Sequence, residues 1–389
     1  MLSFFSIKTM STLARSTLFA DTPVYVQFYI TARCNLACQQ CNICYANADL
    51  PECNLDQIKK IAENLATIGT GMVLLTGGEP FSRSDLPEII KIFTSHGVHV
   101  RMQTNGLANE EMIHKVIEAG GNDISISLDT LKPADQEWIN GNIPGSWHRA
   151  IRAMSVFTKY LPVKNSFASI GCVLQKKNLH DAENVIRFGS RIGWYTSLVP
   201  IHTTNKLNPR GFCSFDQDLQ FQPEDYPAVD ALLARVREMR EQGYLLYDSD
   251  QYLDNFRSFV HGEKLTWRER HDGVCDSPNL YFVILPNGDM APYCDWRLEE
   301  QNVSLTAEDF PRLYHDKAIR KKLHTITSTC PGCMYGSFPE MTISMRYFNA
   351  KIQRVKTFLT PSAPKPWPIS YERMLEVAEE IQKSATPQQ

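Results

Sequence analysis

The chain has 389 residues, of which 43% are hydrophobic and 21% charged, and its formal net charge is −3. This length allows a sizeable core and about two or three domains. The mild negative charge, without a basic block or stripe, argues against nucleic acid or an anionic membrane as the main partner. No apolar run approaches the roughly 18–20 residues that span a bilayer.

The first twenty residues contain no acidic side chain and carry Lys8 and Arg15 among several serines. A targeting presequence has this composition, and so do a plain N-terminal helix and a tail before a true start at Met10. We interpret residues 1–23 as a plain N-terminal extension. Because no secretory signal is convincing, we expect a reducing, cytoplasmic environment.

Short β-branched runs alternate with amphipathic stretches from residue 24 to residue 202. This alternation predicts parallel strands joined by right-handed crossovers, with six units forming a partial (β/α)6 TIM-like barrel. The predicted strands are Val24–Tyr29, Met72–Leu75, Val98–Gln103, Ile124–Leu128, Phe167–Leu174 and Trp194–Pro200. The predicted helices between them are Leu55–Ile68, Asp85–His96, Asn109–Ala119, Trp147–Lys159 and Leu179–Ile192.

The rest of the chain changes character after the barrel. Residues 203–270 are predicted to be a linker with helices, and residues 271–340 a small α+β domain that includes a strand at Tyr281–Leu285. Residues 341–389 are predicted to be a C-terminal extension with a Pro-rich linker over Thr360–Pro368 and a final helix near Ile369–Lys383.

Eleven cysteines occur in the chain, and most of them are clustered. In a reducing compartment this pattern indicates metal or redox chemistry. Cys34, Cys38 and Cys41 follow the first strand with x3 and x2 spacing. Three thiolates on one loop can bind three irons of a cubane and leave the fourth open to a small molecule. Zinc is the alternative, although a structural zinc site wants four ligands; Cys44 also offers a second triplet, with x2 and x2 spacing from Cys38.

This segment resembles the cysteine signature of the radical S-adenosylmethionine (SAM) superfamily in spacing and position. The resemblance implies a 4Fe–4S cluster on Cys34, Cys38 and Cys41 that binds SAM at its open iron. One departure is Gln40, because the family usually has an aromatic residue just before the third cysteine. That residue normally lies near the adenine, so the adenine contact is left open here.

Three further segments at predicted strand ends resemble family motifs that contact SAM. Glycines let a backbone approach a ligand closely, and ligands bind at the C-terminal ends of barrel strands. Taken singly, such polar residues are equally well explained as ordinary strand-end turns and caps. The residues that the resemblance assigns to SAM are Gly77, Gly78, Glu79, Pro80, Thr104, Asn105, Ser127 and Asp129.

A second set of cysteines, at Cys275, Cys294, Cys330 and Cys333, can close one more cluster with all irons bound by protein. Their order resembles the twitch form of the SPASM-type auxiliary domain, which implies one auxiliary 4Fe–4S cluster. Further cysteines after Cys333, which a second auxiliary cluster would require, are absent from the sequence. A zinc site made by the same thiolates is the alternative.

The resemblance implies an oxidoreductase or related enzyme that cleaves SAM reductively to a 5′-deoxyadenosyl radical. It also implies a one-electron donor such as flavodoxin or ferredoxin. About 23 residues precede the first strand, too few for a leader-binding domain, which favours a small or medium-sized metabolite over a peptide. We interpret His202, just after the sixth strand, as a structural residue. If it does bind a ligand, a metal-bearing tetrapyrrole intermediate is one candidate among several. A zinc-stapled binding protein and a non-catalytic family member are the alternatives.

The remaining cysteines, Cys44, Cys53, Cys172 and Cys213, are predicted to be small hydrophobic residues and not ligands. Cys213, in the loop after the barrel, is the best placed of them to contact substrate.

Overall fold

The computed structural model describes residues 5–19, 22–41, 49–202, 219–271, 276–291, 303–328, 332–335, 337–359 and 365–385. Several predicted features lie outside these residues. They are Cys44, Cys213, Cys275, Cys294, Cys330, the loop over residues 203–218 and the first half of the Pro-rich linker.

The central feature is an eight-stranded sheet in the order β6-β5-β4-β3-β2-β1-β7-β8. Every neighbouring pair is parallel except β7 with β8. The strands are β1 Tyr25–Thr31, β2 Met72–Gly77, β3 His99–Thr104, β4 Asp123–Ser127, β5 Phe167–Leu174, β6 Tyr195–Pro200, β7 Tyr281–Ile284 and β8 Met290–Ala291.

Some of the helices that connect and cover the strands begin at side-chain caps. Asn54, for example, makes a reciprocal capping box with Gln57, and Asn109 accepts a hydrogen bond from the Met112 amide. The helices are α1 Ile7–Phe19, α2 Leu55–Thr67, α3 Leu86–Ser95, α4 Glu110–Glu118, α5 Pro133–Ile139, α6 Ser146–Tyr160, α7 Ala182–Arg191, α8 Tyr226–Glu241, α9 Asp250–Val260, α10 Phe310–His315, α11 Lys317–Ser328, α12 Ser337–Arg346, α13 Phe348–Leu359 and α14 Tyr371–Ala385.

The predicted partial barrel is confirmed, and all six of its predicted strands are present. The predicted strand at Tyr281–Leu285 is also present, but it pairs in parallel with β1 and so extends the same sheet. The sequence gives no sign of this pairing, because the two strands are far apart in the chain. The boundaries of an auxiliary domain stay a prediction.

The two faces of the sheet are packed differently. Side chains such as Phe28, Ile126 and Ile170 point towards the helices and belong to the main hydrophobic core. The opposite face is the concave, inner face of the barrel, since successive side chains of a strand point to opposite faces. On β1, β2 and β7 this inner face is filled by a second cluster that packs against Phe338 of α12.

The N-terminal helix α1 covers the strand starts. Thr9 and Thr12 donate hydrogen bonds to the carbonyl oxygens of Gly71 and Gly69, at 3.2 and 2.7 Å. These bonds fit the predicted plain helix. Among the described residues, no helix has the length and apolar character needed to cross a bilayer.

Candidate active site at the mouth of the barrel

The loop that carries Cys34, Cys38 and Cys41 lies against the turn that ends β2. The Gly78 amide donates to Thr31 O at 2.9 Å, and the Glu79 amide donates to Arg33 O at 2.7 Å. A Cβ atom on Gly77 would lie 2.3 Å from Thr31 O, and one on Gly78 would lie 2.1 Å from Arg33 O. Both positions therefore require glycine, because the backbone at the end of β1 and at the start of the cysteine loop occupies the space of a side chain.

The far end of the cysteine loop rests on the end of α5. The Gln39 amide donates to Ile139 O at 2.8 Å, and the Cys38 thiol lies 3.9 Å from Asn140 Oδ1. Gly141 is closely approached too, since a Cβ there would lie 2.4 Å from Ala37 O. The loop is thus held between β2 and α5, two elements that are distant from it in sequence.

The Cys38 thiol is surrounded by groups that disfavour its ionised form. Burial, and the nearby Cys41, Asp129 and Cys34, raise the pKa of the Cys38 thiol well above its ordinary value. Among the described residues, no three His, Cys, Asp or Glu side chains are placed to hold one metal ion. A cubane takes one thiolate at each of three irons, and its positive charge would favour the thiolate form.

Glu79 is 1% exposed, and its carboxylate joins two backbone segments, its own turn after β2 and the end of β3. One oxygen accepts hydrogen bonds from Thr104 Oγ1 at 2.7 Å and the Phe81 amide at 2.9 Å, and the other accepts from the Asn105 amide at 2.7 Å. Burial raises the pKa of Glu79 to about 7, and these hydrogen bonds oppose that rise. The side chain therefore braces the β2 and β3 ends. Contact of Gly77, Gly78, Glu79, Pro80 or Thr104 with SAM stays a prediction.

Asp129 holds the rim of β4 and β5 in a similar way. Its carboxylate accepts from the Val173 amide at 2.8 Å and from Gln136 Nε2 at 3.2 Å. Burial raises the pKa of Asp129 to about 6, opposed by bonds from Val173, Gln136 and Gln40. Gln40 also lies 3.3 Å from Gln175 Nε2, so the residue in the family's aromatic position joins an amide cluster here.

The two other predicted SAM contacts lie at the same end of the barrel, the mouth at which strands β1 to β6 end. Asn105 Nδ2 donates to Asn35 Oδ1 of the cysteine loop at 2.7 Å. Ser127 Oγ, on the inner face at the end of β4, accepts from Gln103 Nε2 at 3.0 Å. The structure thus brings every described member of the first predicted site to one end of the sheet.

Sequence reasoning missed a charged support of the loop. Arg33 donates two hydrogen bonds to Glu52, at 3.1 and 2.9 Å. The buried Arg83 donates to Ile30 O, Cys53 O and Asp85, and so ties the turn after β2 to β1. Of these contacts, only the ion pair of Arg83 with Asp85, two residues apart, could have been expected from the local sequence.

The profile of the Radical SAM superfamily matches residues 28–189, the segment that carries this entire arrangement. This segment is a radical SAM domain. Relatives include the Fe-coproporphyrin III synthase of Methanosarcina barkeri (strain Fusaro / DSM 804), 26% identical over 275 residues, or 68% of this chain and 59% of that protein. The mycofactocin maturase MftC of Mycolicibacterium smegmatis (strain ATCC 700084 / mc(2)155) is 29% identical over 44% of this chain and 43% of that protein. The chain thus spans about half the length of the curated relatives it matches.

Solved structures share the fold of the radical SAM domain and of much of the remaining chain. Streptococcus suis SuiB matches with a TM-score of 0.61 and 15% identity, over 82% of this chain and 71% of that one. The anSMEcpe structure with bound AdoMet and Cp18Cys peptide matches with a TM-score of 0.57 and 15% identity, over 92% of this chain and 99% of that one.

Outside the radical SAM domain, Cys333 is the one predicted auxiliary ligand within the described residues, and it is partly exposed. The next residue, Met334, is anchored through both of its backbone polar groups. His202 Nε2 accepts from the Met334 amide at 2.8 Å, and Tyr252 donates from its hydroxyl to Met334 O at 3.0 Å. The auxiliary site of Cys275, Cys294, Cys330 and Cys333 stays a prediction.

His202 has a structural role. Its ring stacks on Tyr335 with centroids 3.9 Å apart, and the backbone of Pro200 also bonds to it. Burial lowers the pKa of His202 to about 3, so the imidazole is neutral. With Nε2 accepting from a backbone amide, the ring does not present this nitrogen to a substrate metal, contrary to the tetrapyrrole interpretation of His202.

Cys53 and Cys172 are buried, at 2% and 0% exposure, and belong to the hydrophobic core as predicted. Burial raises the pKa of the Cys53 thiol to about 12 and that of Cys172 well above its ordinary value.

Proposed function

We propose that this protein uses a 4Fe–4S cluster on Cys34, Cys38 and Cys41 to cleave SAM and modify an unactivated C–H position of a substrate. When bound, cluster and SAM supply one electron and a 5′-deoxyadenosyl radical that abstracts hydrogen. The observation that carries the proposal is the cysteine loop seated on the Gly77-Gly78 turn, at the C-terminal end of parallel strands.

The chain's own residues would bind and orient the reactants. The turn at Gly77 and Gly78, which seats the cysteine loop, would bring its backbone beside the methionine part of SAM. Glu79 and Asp129 hold the strand ends that flank it, and Asn105 and Ser127 supply hydrogen-bonding groups at the same mouth. Radical chemistry requires exclusion of water and a fixed distance to the target carbon, which a rigid rim supports.

An auxiliary cluster on Cys275, Cys294, Cys330 and Cys333 would make the overall reaction an oxidation. The substrate would lose a hydrogen atom to the 5′-deoxyadenosyl radical, and the substrate radical would then lose a proton to solvent and one electron through this cluster to an oxidised one-electron carrier. A reduced flavodoxin- or ferredoxin-type donor would supply the electron that cleaves SAM. Support comes from the cysteine pattern and from the anchoring of Met334 next to Cys333 by His202 and Tyr252.

The substrate proposed is a small or medium-sized metabolite. A tetrapyrrole intermediate is a second candidate, because relatives are named Fe-coproporphyrin III synthase and AdoMet-dependent heme synthase. A peptide is the alternative, since one relative is a mycofactocin maturase and SuiB is solved with a precursor peptide.

The test is anaerobic reconstitution followed by counting iron and sulfide and assaying dithionite-driven 5′-deoxyadenosine formation. We expect about eight irons per chain in the parent and about four in a variant with Cys34, Cys38 and Cys41 all changed to Ala. Nucleoside should form with the parent and not with this variant. The matched control is Cys53→Ala, a buried cysteine outside both sets, which should keep its iron and activity.

Zinc in place of iron, together with no deoxyadenosine, would contradict the proposal and leave a metal-stapled binding protein. About four irons in the parent, all lost in the triple variant, would support the radical chemistry and contradict the proposed auxiliary cluster.

A further inference from the structure

Helix α13 presents an apolar stripe to solvent. Phe348, Ile352 and Val355 are 74%, 38% and 45% exposed, although large apolar side chains at this spacing on a helix are normally buried. At about 100° per residue, the three side chains lie within about 60° of one another around the helix axis. Lys351 and Lys356 flank the stripe, one on each side. An apolar stripe between cations is typical of helices that lie in a lipid–water interface.

The opposite side of α13 attaches the helix to the rest of the protein. Ala350 is 1% exposed and belongs to the main hydrophobic core. Arg354 Nη2 lies 2.6 Å from Glu340 Oε1 of α12, and Arg354 Cζ lies 3.6 Å from the centroid of the Tyr247 ring. These contacts determine the orientation of the helix without involving the stripe. The exposure of the stripe therefore follows from how α13 is packed.

The charge of this part of the chain is basic. No Asp or Glu occurs between Glu340 and Glu372, whereas five Lys and Arg residues do. Lys351 and Lys356 form no ion pair with another of the described residues. The formal net charge of −3, which argues against an anionic membrane for the whole chain, thus conceals a local excess of cations. Anionic lipid headgroups attract cations that lie near the surface of a bilayer.

Helix α13 lies at the end of the barrel where the strands start, away from the mouth. Tyr195, the first residue of β6, donates from its hydroxyl to Thr357 O at 3.2 Å. Within the described part of the chain, the other large apolar side chains with high exposure belong to α1, which covers the strand starts, and to the loop just before β5. These side chains are Met10, Phe19 and Val163. A broad surface can contact this end of the barrel while the mouth stays open.

We propose that α13 is an interfacial helix that binds this protein reversibly to an anionic lipid surface. Phe348, Ile352 and Val355 enter the headgroup layer, and Lys351 and Lys356 bind lipid phosphates. A protein partner would take such a stripe into a groove, whereas apolar side chains spread over one end of the barrel favour a broad surface. With 12 residues, α13 is about 18 Å long and lies along the surface, since a span needs about 20 residues. This inference goes beyond the proposed function.

The test is co-sedimentation of the full chain with vesicles of two compositions, equimolar phosphatidylcholine and phosphatidylglycerol, or phosphatidylcholine alone. We expect the parent to partition about tenfold or more in favour of the anionic vesicles, and less so as salt is raised. Phe348→Ser should weaken partition about tenfold and leave the melting temperature nearly unchanged, because this side chain is mostly exposed. Lys351→Gln combined with Lys356→Gln should remove most of the preference for phosphatidylglycerol.

The matched control is Lys176→Gln combined with Lys383→Gln. These side chains are 41% and 79% exposed and lie at the mouth end of the barrel, so the double variant loses the same charge and should partition like the parent. An equal loss in the two double variants would overturn the inference by making the overall charge responsible. Partition of Phe348→Ser equal to that of the parent, or of the parent onto neither vesicle, would also overturn it and leave a protein as the partner of α13.

Discussion

At the scale of single residues, Glu79 shows how this mouth is built around a carboxylate with hydrogen-bond donors on both oxygens. Two donors are backbone amides and one is a hydroxyl, so both oxygens must accept. A glutamine has one accepting oxygen and an NH2 group, which cannot accept from an amide. The site thus distinguishes glutamate from glutamine, two side chains of almost equal size.

We expect Glu79→Gln to destabilise the protein by about 1–3 kcal/mol, because the Asn105 amide loses its acceptor in a buried place. Deoxyadenosine formation should fall as well, since the β2 and β3 ends are no longer joined. Thermal unfolding and the dithionite assay measure the two effects. Glu111→Gln, at a side chain that is 77% exposed, is the control and should change stability by less than about 0.5 kcal/mol. Equal effects of both changes would refute the bracing role.

Asp248 gives a dependence of stability on pH. Burial and the nearby Glu340 raise its pKa to about 7, while bonds from Ser197 and the Leu198 amide, and the charge of Arg354, oppose the rise. The folded state therefore holds this proton more tightly than the unfolded state, whose pKa is about 3.9. The contribution of Asp248 to stability is greatest below that value and is lost as pH rises towards 7.

In the Asp248→Asn variant the side chain does not titrate, so this pH-dependent contribution to stability is absent. The melting temperature of the parent, taken relative to the variant, should fall as pH is raised from about 5 to about 7. Asp254→Asn, at a side chain that is 68% exposed, should show no such trend. A parent-to-variant difference that is constant or grows over this range would show that the buried carboxyl is already ionised at pH 5.

At the scale of elements, the β2 turn and the cysteine loop form one unit. We expect Gly77→Ala to displace the loop, because its Cβ would lie 2.3 Å from Thr31 O. Iron content should fall towards the value of the Cys34, Cys38 and Cys41 variant. Gly262→Ala is the control, since Gly262 has a φ of +68° but nothing within 4 Å of an added Cβ. It should cost about 1 kcal/mol and retain iron. Normal iron in Gly77→Ala would mean that the loop tolerates the displacement.

Most elements could be predicted from the sequence, because local periodicity and caps determine them. Strand Phe167–Leu174 agrees with its predicted bounds, and the bounds of the predicted helices differ by a few residues at most. Helices α5 and α10 to α13 were not predicted. The contacts that position the site could not be predicted in the same way. The pairing of β1 with β7, the seat of the cysteine loop on Asn140 and the Arg33–Glu52 ion pair join residues that are distant in the chain. The neutral state of the half-buried His202 likewise depends on its contacts with Tyr335 and Met334.

At the scale of the whole molecule, the C-terminal helix α14 is part of the barrel's outer layer. Trp367 Nε1 donates to Ile192 O at 2.8 Å, and Ser155 donates to Ile369 O at 2.8 Å. Met374 is 0% exposed. The end of the described chain therefore covers apolar surface of α6 and α7, and the fold depends on it.

We expect Met374→Ala to destabilise the protein by about 2–5 kcal/mol, the usual range for a large side chain removed from a core. Glu379→Ala on the same helix, at a side chain that is 67% exposed, should cost less than about 0.5 kcal/mol. Denaturant unfolding measures both. A loss confined to α14, without a change in the main transition, would show that this helix unfolds independently.

The parallel pairing of β1 with β7 also has a consequence for synthesis on the ribosome. Tyr25 pairs with Tyr281, so one edge of β1 has no neighbour until about 250 further residues have been made, roughly 10–50 seconds at ordinary translation rates. An open strand edge is a site for wrong pairing with other chains. The nascent protein is therefore most exposed to aggregation during this interval, and slow growth or a chaperone that shields strand edges should improve its yield.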